Sequence, residues 1–164
     1  MIKKLVLGAC SFLLLSLIST SLKVEALTFE KLPIVQKSNQ WSVQIGEAEK
    51  GKDLAKPVKG KFHTYSLIID KIGANVDSVY INLYRDEPNS IRKFGLHSCP
   101  PEMECNENLY ERAVDLAKNM NKGLSYKHSN FLLAEKATEL EVEIIWTEKN
   151  NGRPLKETFT FTDN

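Results

Sequence analysis

The alternation of apolar and polar positions is strongest between Glu139 and Thr162. Leu140, Val142, Ile144 and Trp146 alternate with Glu139, Glu141, Glu143 and Thr147, a period of two that sends one set into a core and the other into water. Ile145 is the single apolar break. After the turn formers from Glu148 to Pro154, the pattern resumes with Leu155, Phe159 and Phe161 on one face and Lys156, Thr158, Thr160 and Thr162 on the other. This predicts a hairpin, and a lone hairpin is marginal in water, so the rest of the chain must supply a sheet.

Upstream, Trp41, Val43 and Ile45 alternate with Ser42 and Gln44 as a short strand ending at Gly46. Two longer strands follow, Phe62 to Asp70 and Val76 to Tyr84, with Tyr65, Leu67 and Ile69 sharing one face and Val79, Ile81 and Leu83 another. Their β-branched and aromatic content predicts a central hairpin in which they pair with each other. Ile91 to His97 suggests a short edge strand, and Leu124 to Leu133 one more strand before the final hairpin. The segment Asn108 to Asn121 changes period: Leu109, Ala113, Leu116 and Met120 recur at helical spacing. Asn108 with Glu111 reads as a capping box, and Lys122-Gly123 as the stop. Leu27 to Gln40, with Pro33, follows neither period and reads as an N-terminal arm.

Residues 1–26 have the zones of a secretory signal peptide: basic Lys3 and Lys4, an uncharged apolar run from Leu5 to Ile18, and Val24-Glu25-Ala26 before the expected cut at Leu27. Two alternatives are a lipoprotein box at Leu7-Gly8-Ala9-Cys10 and an uncleaved anchor, the only route by which this reading brings a membrane into play. The mature chain is therefore expected to be secreted or displayed at the cell surface. Setting aside Lys3, Lys4, Lys23 and Glu25 turns the whole-chain 22 basic and 21 acidic residues into 19 and 20. A near-neutral chain with no aromatic-interleaved basic motif argues against nucleic acid as a partner. The one basic cluster is Lys50, Lys52, Lys56, Lys59 and Lys61, against a single Asp53. It is either a solvated loop or a docking patch for an anionic cell-envelope component or an acidic protein.

Cys99 and Cys105 are the cysteines that remain after the leader, and in an exported chain such a pair is expected to bond. The seven-residue loop they close would contribute roughly 2 kcal/mol. A metal site through His97, Cys99 and Cys105 would need a distant His63 or His128 as fourth ligand. The spacing is not Cys-x-x-Cys, and the chain has no Gly-x-Ser-x-Gly, His-Glu-x-x-His or phosphate-loop motif. No enzyme and no cofactor are therefore expected. The glutamate stripe Glu139, Glu141, Glu143 reads as the wet side of a strand, partly neutralised by Lys156. The Cys99 to Cys105 loop also suggests a secreted proteinase inhibitor presenting Met103, since a preordered loop loses less entropy on docking.

The order of short alternating strands, then Gly123-Leu124-Ser125-Tyr126, the Leu140-x-Val142-x-Ile144-x-Trp146 run and a last Phe159-x-Phe161 strand resembles small immunoglobulin-like β-sandwich proteins exported by Gram-positive bacteria. The resemblance spans about residues 60–162 and implies a sandwich fold without a specified activity. The expected architecture is mostly β, an immunoglobulin-like β-sandwich over residues 41–164 with one short helix in a connection. Its expected core is Trp41, Val43, Tyr65, Leu67, Ile69, Val79, Ile81, Leu83, Leu140, Val142, Ile144, Trp146, Phe159 and Phe161. The expected function is that of an exported, non-catalytic interaction domain.

Overall fold

In a computed structural model, which describes residues 27–87, 90–96, 108–148 and 152–162, the chain runs through β1 (Ile34–Lys37), β2 (Trp41–Glu47), β3 (Phe62–Lys71), β4 (Ser78–Arg85), β5 (Phe94–Gly95), α1 (Leu109–Asn121), β6 (Tyr126–Ala134), β7 (Glu139–Thr147) and β8 (Leu155–Thr162). The strands form two antiparallel sheets, ordered β1-β2-β3-β6 and β5-β4-β7-β8. Gln36 Nε2 of β1 donates to Thr160 O of β8 at 2.8 Å, so these two edges lie against each other across the sandwich.

The terminal hairpin forms as its alternation requires. β7 pairs with β8 from Glu139↔Thr162 to Trp146↔Leu155, placing Leu140, Val142, Ile144, Trp146, Phe159 and Phe161 in the core. Leu155, at the far end of the same face, lies beyond the cover of the opposite sheet and is exposed. The other expected core residues are buried too, except Ile81, which is only partly so. An aromatic seam joins the layers: Trp41 meets Trp146 edge to face at 5.5 Å.

Three features differ from the sequence reading. β3 and β4 are not a hairpin. β3 lies between β2 and β6, and β4 between β5 and β7, so the connection from Ile72 to Asp77 crosses from one sheet to the other. Side chains from elsewhere hold that crossing: Gln40 donates to Ala74 O at 2.8 Å and accepts from Ala74 N at 3.0 Å, and Asn121 of α1 brackets Val76 N and O. Alternation reports which face a residue takes, and it is silent on whether a loop turns within a sheet or leaves it.

The segment from Leu27 to Gln40 is no arm. Leu27 is wholly buried with its amide bonded to Ala137 O, and Phe29 packs edge to face on Tyr65 at 4.9 Å and on Phe161 at 6.4 Å. Burying such side chains contributes about 1.5–3 kcal/mol each. Ile34–Lys37 adds the edge strand β1. With β2 counted as the first strand, the orders β2-β3-β6 and β4-β7-β8 follow the ABE and CFG runs of an immunoglobulin-type sandwich, with β1 as an added edge strand and α1 in the connection between β5 and β6.

Helix α1 links β5 to β6 and packs chiefly on β4, with Ala113, Ala117 and Met120 buried. The expected capping box is not made. Asn108 is left-handed, φ 64°, and its side chain caps nothing, whereas a capping side chain works from the extended region. Leu109 at that end is half exposed. The stop is as expected: Gly123, φ 84°, donates to Met120 O and Leu124 N to Asn119 O, a Schellman closure.

Candidate functional site

Lys50, Lys52, Lys56, Lys59 and Lys61 all lie on the β2–β3 connection and all are exposed. Among the described residues, none of the five side chains makes an ion pair or a hydrogen bond. The backbone that carries them is nonetheless tied down. β6 bulges opposite Ser66, where Tyr65 faces Phe131 but Leu67 faces His128, and Asn130 sits in that bulge. Its Oδ1 accepts from Glu49 N at 2.8 Å, while its Nδ2 donates to Ala55 O at 2.8 Å and Glu49 O at 3.2 Å. One amide side chain thus pins both shoulders of the loop. A cleft of about 330 Å³ lies there, lined by Glu49, Lys50, Lys56 and Pro57 with Thr64 and Asn130 of the sheet.

The loop re-enters the sheet through a tight turn. Val58 and Phe62 bridge, Lys61 N donates to Val58 O, and Gly60 takes a φ of 76°, a conformation that only glycine adopts without strain. Gly60 N donates to Glu135 Oε1 at 2.8 Å, and Glu135 N donates to Lys61 O at 2.9 Å. Lys61 is thereby set in the wall of a second cleft, about 550 Å³, where β3 begins and β4 and β6 end.

Gly60, Lys61, Phe62, Ala134 and Glu135 form part of that cleft, and Arg85, Glu87 and Lys136 the rest. Glu87 is bridged: Oε1 receives Arg85 Nη1 at 2.7 Å and Oε2 receives Lys136 Nζ at 2.7 Å. These bonds, from Lys136 first and then Arg85, hold the Glu87 carboxyl below the usual carboxylate range. Arg85 is largely buried, 14% exposed, with its guanidinium over the Phe94 ring at 4.9 Å. Next to it Asp86 accepts from Thr138 N and Glu139 N, both at 2.8 Å, and from Thr138 Oγ1, which fixes the β6–β7 turn.

A third surface is the outer face of β5-β4-β7-β8. Lys93 pairs with Glu141 and, at 3.7 Å, with Glu139; Lys156 pairs with Glu143 at 3.0 Å, as the sequence suggested, and Asn82 donates to the same carboxylate at 3.1 Å. The bonds from Asn82 and Lys156 lower the Glu143 pKa. Burial, followed by the bond to Glu141, raises that of Glu139. These charges are internally matched, unlike those of the lysine loop.

His97, Cys99, Met103 and Cys105 lie outside the described residues, as do residues 1–26, so of the site residues expected from the sequence the structure places the five lysines. Arg85, Glu87, Asn130, Glu135 and Lys136 are not singled out by the sequence pattern: Arg85 and Glu87 flank Asp86 at the end of β4, Glu135 and Lys136 follow β6, and only the fold brings these two pairs into one cleft, while Asn130 acts at the other end of the loop. Among the described residues no helix is long and apolar enough to cross a membrane.

Fold and surfaces together define a small β-sandwich with a tethered basic loop at one end. The chain belongs to the YozF-like secreted protein family, whose profile matches residues 25–164. It is 46% identical over 142 residues, 86% of this chain and 85% of the relative, to the uncharacterized protein YozF of Bacillus subtilis (strain 168). No solved structure matches the chain. Membership of a secreted family agrees with the export signal read in residues 1–26.

Proposed function

We propose that this protein is an exported, non-catalytic binding domain whose lysine loop docks an anionic polymer of the cell envelope. One observation carries the reading: five lysines with no ion pair or hydrogen bond among the described residues stand on a backbone that Asn130 and Glu135 hold in place. Unpaired cations on a fixed frame lose little entropy on docking and have no internal partner to give up. A merely solvated loop has no need of such tethering.

The test is retention of the secreted protein on immobilised polyphosphate and on purified envelope polymer, with elution by salt. Wild type is expected to bind and to elute as salt screens the charges. The triple variant Lys52→Glu, Lys56→Glu, Lys59→Glu is expected to pass through with its melting temperature unchanged, because these exposed side chains make no ion pair or hydrogen bond among the described residues. Equal retention of the variant, or no retention of wild type, removes the reading. The compartment also supports a Cys99–Cys105 disulfide in the exported protein, seen as alkylation only after reduction.

A further inference from the structure

The cleft at the foot of the lysine loop already contains an anion, and that anion belongs to the protein. The Glu87 carboxylate is gripped on one oxygen by Arg85 and on the other by Lys136, each at 2.7 Å. Bidentate capture between a guanidinium and an ammonium is how proteins hold carboxylates and phosphates. Arg85 is largely buried, with its guanidinium over the Phe94 ring and Nη1 also donating to Asp86 O at 3.3 Å, so it is held independently of Glu87, and its Nε and Nη2 have no partner among the described residues. Lys61, on the cleft wall, is unpaired as well. The other acidic group there, Glu135, is engaged by the Gly60 amide. Glu87 itself lies on the segment that leaves β4 and is tied to the cleft wall by its carboxylate alone among the described side-chain contacts.

We infer that this cleft is a phosphate-binding seat occupied in the free protein by Glu87, which a ligand phosphate displaces to bind Arg85, Lys136 and Lys61. Glu87 out of the cleft leaves three cations facing about 550 Å³, room for one phosphate or diphosphate group over the apolar floor of Phe62 and Ala134. The inference rests on the proposed function and deepens it, because Lys61 of the loop is part of the seat's wall. The phosphate is either a group of the docked polymer or a free inorganic one, and the chemistry of recognition is the same for both. An internal competitor reduces apparent affinity by the fraction of time it holds the site, so its removal increases affinity by the inverse of that fraction.

The test is calorimetric titration of the secreted protein with inorganic pyrophosphate, and in a second arm with the envelope polymer. Glu87→Gln, which keeps the shape and loses the charge, is expected to bind pyrophosphate roughly two- to fivefold more tightly than wild type, the scale of an exposed ion pair. Adding Arg85→Gln to it is expected to abolish the gain. Lys136 is exposed, so Lys136→Glu leaves the core untouched; it is expected to lose pyrophosphate binding, and binding that survives it overturns the seat even if Glu87→Gln fails to fold. Equal affinity in wild type and a folded Glu87→Gln also overturns it. A gain with pyrophosphate alone assigns the seat to free phosphate; a gain in both arms assigns it to the polymer. The two proposals fail separately. If the loop variant loses polymer while Glu87→Gln changes nothing, the seat is wrong and the loop reading stands. If wild type ignores polymer but Glu87→Gln gains on pyrophosphate, the reverse holds.

Discussion

Two glutamates on one strand face have opposite effects on stability. Glu143 is held ionised by Asn82 and Lys156, so its folded pKa lies below its unfolded value near 4.3; its contribution is present above that value and is lost as pH falls through the folded pKa. Glu139, raised by burial and by Glu141, costs stability above its folded pKa, and that cost vanishes as pH falls toward the unfolded value. Melting temperatures followed from pH 7 into acid are expected to show Glu143→Gln below wild type and Glu139→Gln above it at neutral pH, both gaps closing in acid. A second residue-scale case is Asp86, whose carboxylate takes three donors from Thr138 and Glu139. Asp86→Ala leaves those donors unmatched and is expected to cost about 2–4 kcal/mol in urea denaturation. The pairing of Glu143 with Lys156 was legible in the sequence, whereas the role of Asp86 was not, since it opens a run of turn formers with Glu87, Pro88, Asn89 and Ser90.

Among the elements, the crossing between β3 and β4 depends on close approach. A methyl group on Gly73 would sit 2.8 Å from the Asn39 carbonyl oxygen, so Gly73→Ala is expected to cost about 1–3 kcal/mol, read as a shift in denaturation midpoint. The β7–β8 hairpin was legible because alternation and a turn signal within one segment determine both the faces and the pairing. The crossing was not, because what directs it, Gln40 and Asn121, lies far off in sequence. Segment 27–40 was misread for a related reason. Leu27 and Phe29 fill the space between layers as single side chains, and single residues have no period. The lysine cluster was legible as charge; its anchoring by Asn130 was not, since an asparagine in a bulge looks like any polar strand residue. Asn130→Ala is expected to leave the five lysines in sequence and release them in space, with faster hydrogen exchange at the Glu49 amide as the measurement.

At the scale of the whole molecule, the crossings β3 to β4 and β6 to β7 interlock, because β3 pairs with β6 and β4 with β7. Neither sheet closes without strands delivered by the other, so folding is expected as one cooperative step on the millisecond-to-second scale of non-local β topologies. Trp41 and Trp146, one from each sheet, report the docking by fluorescence, and that trace is expected to coincide with far-ultraviolet circular dichroism. The burial of Leu27 and Phe29 adds a condition at the start of the chain. Leu27 and Phe29 are a wedge between the layers, so, with residues 1–26 expected to be removed as a signal peptide, the position of the cut is expected to set whether the exported product can close. A cut before Leu27 hands over the wedge intact, and one past Phe29 delivers a chain with a hollow between its sheets. The fold is thus expected to act as a ruler for its own export: a product trimmed too far would cross the membrane successfully and still be left open to the proteases waiting outside.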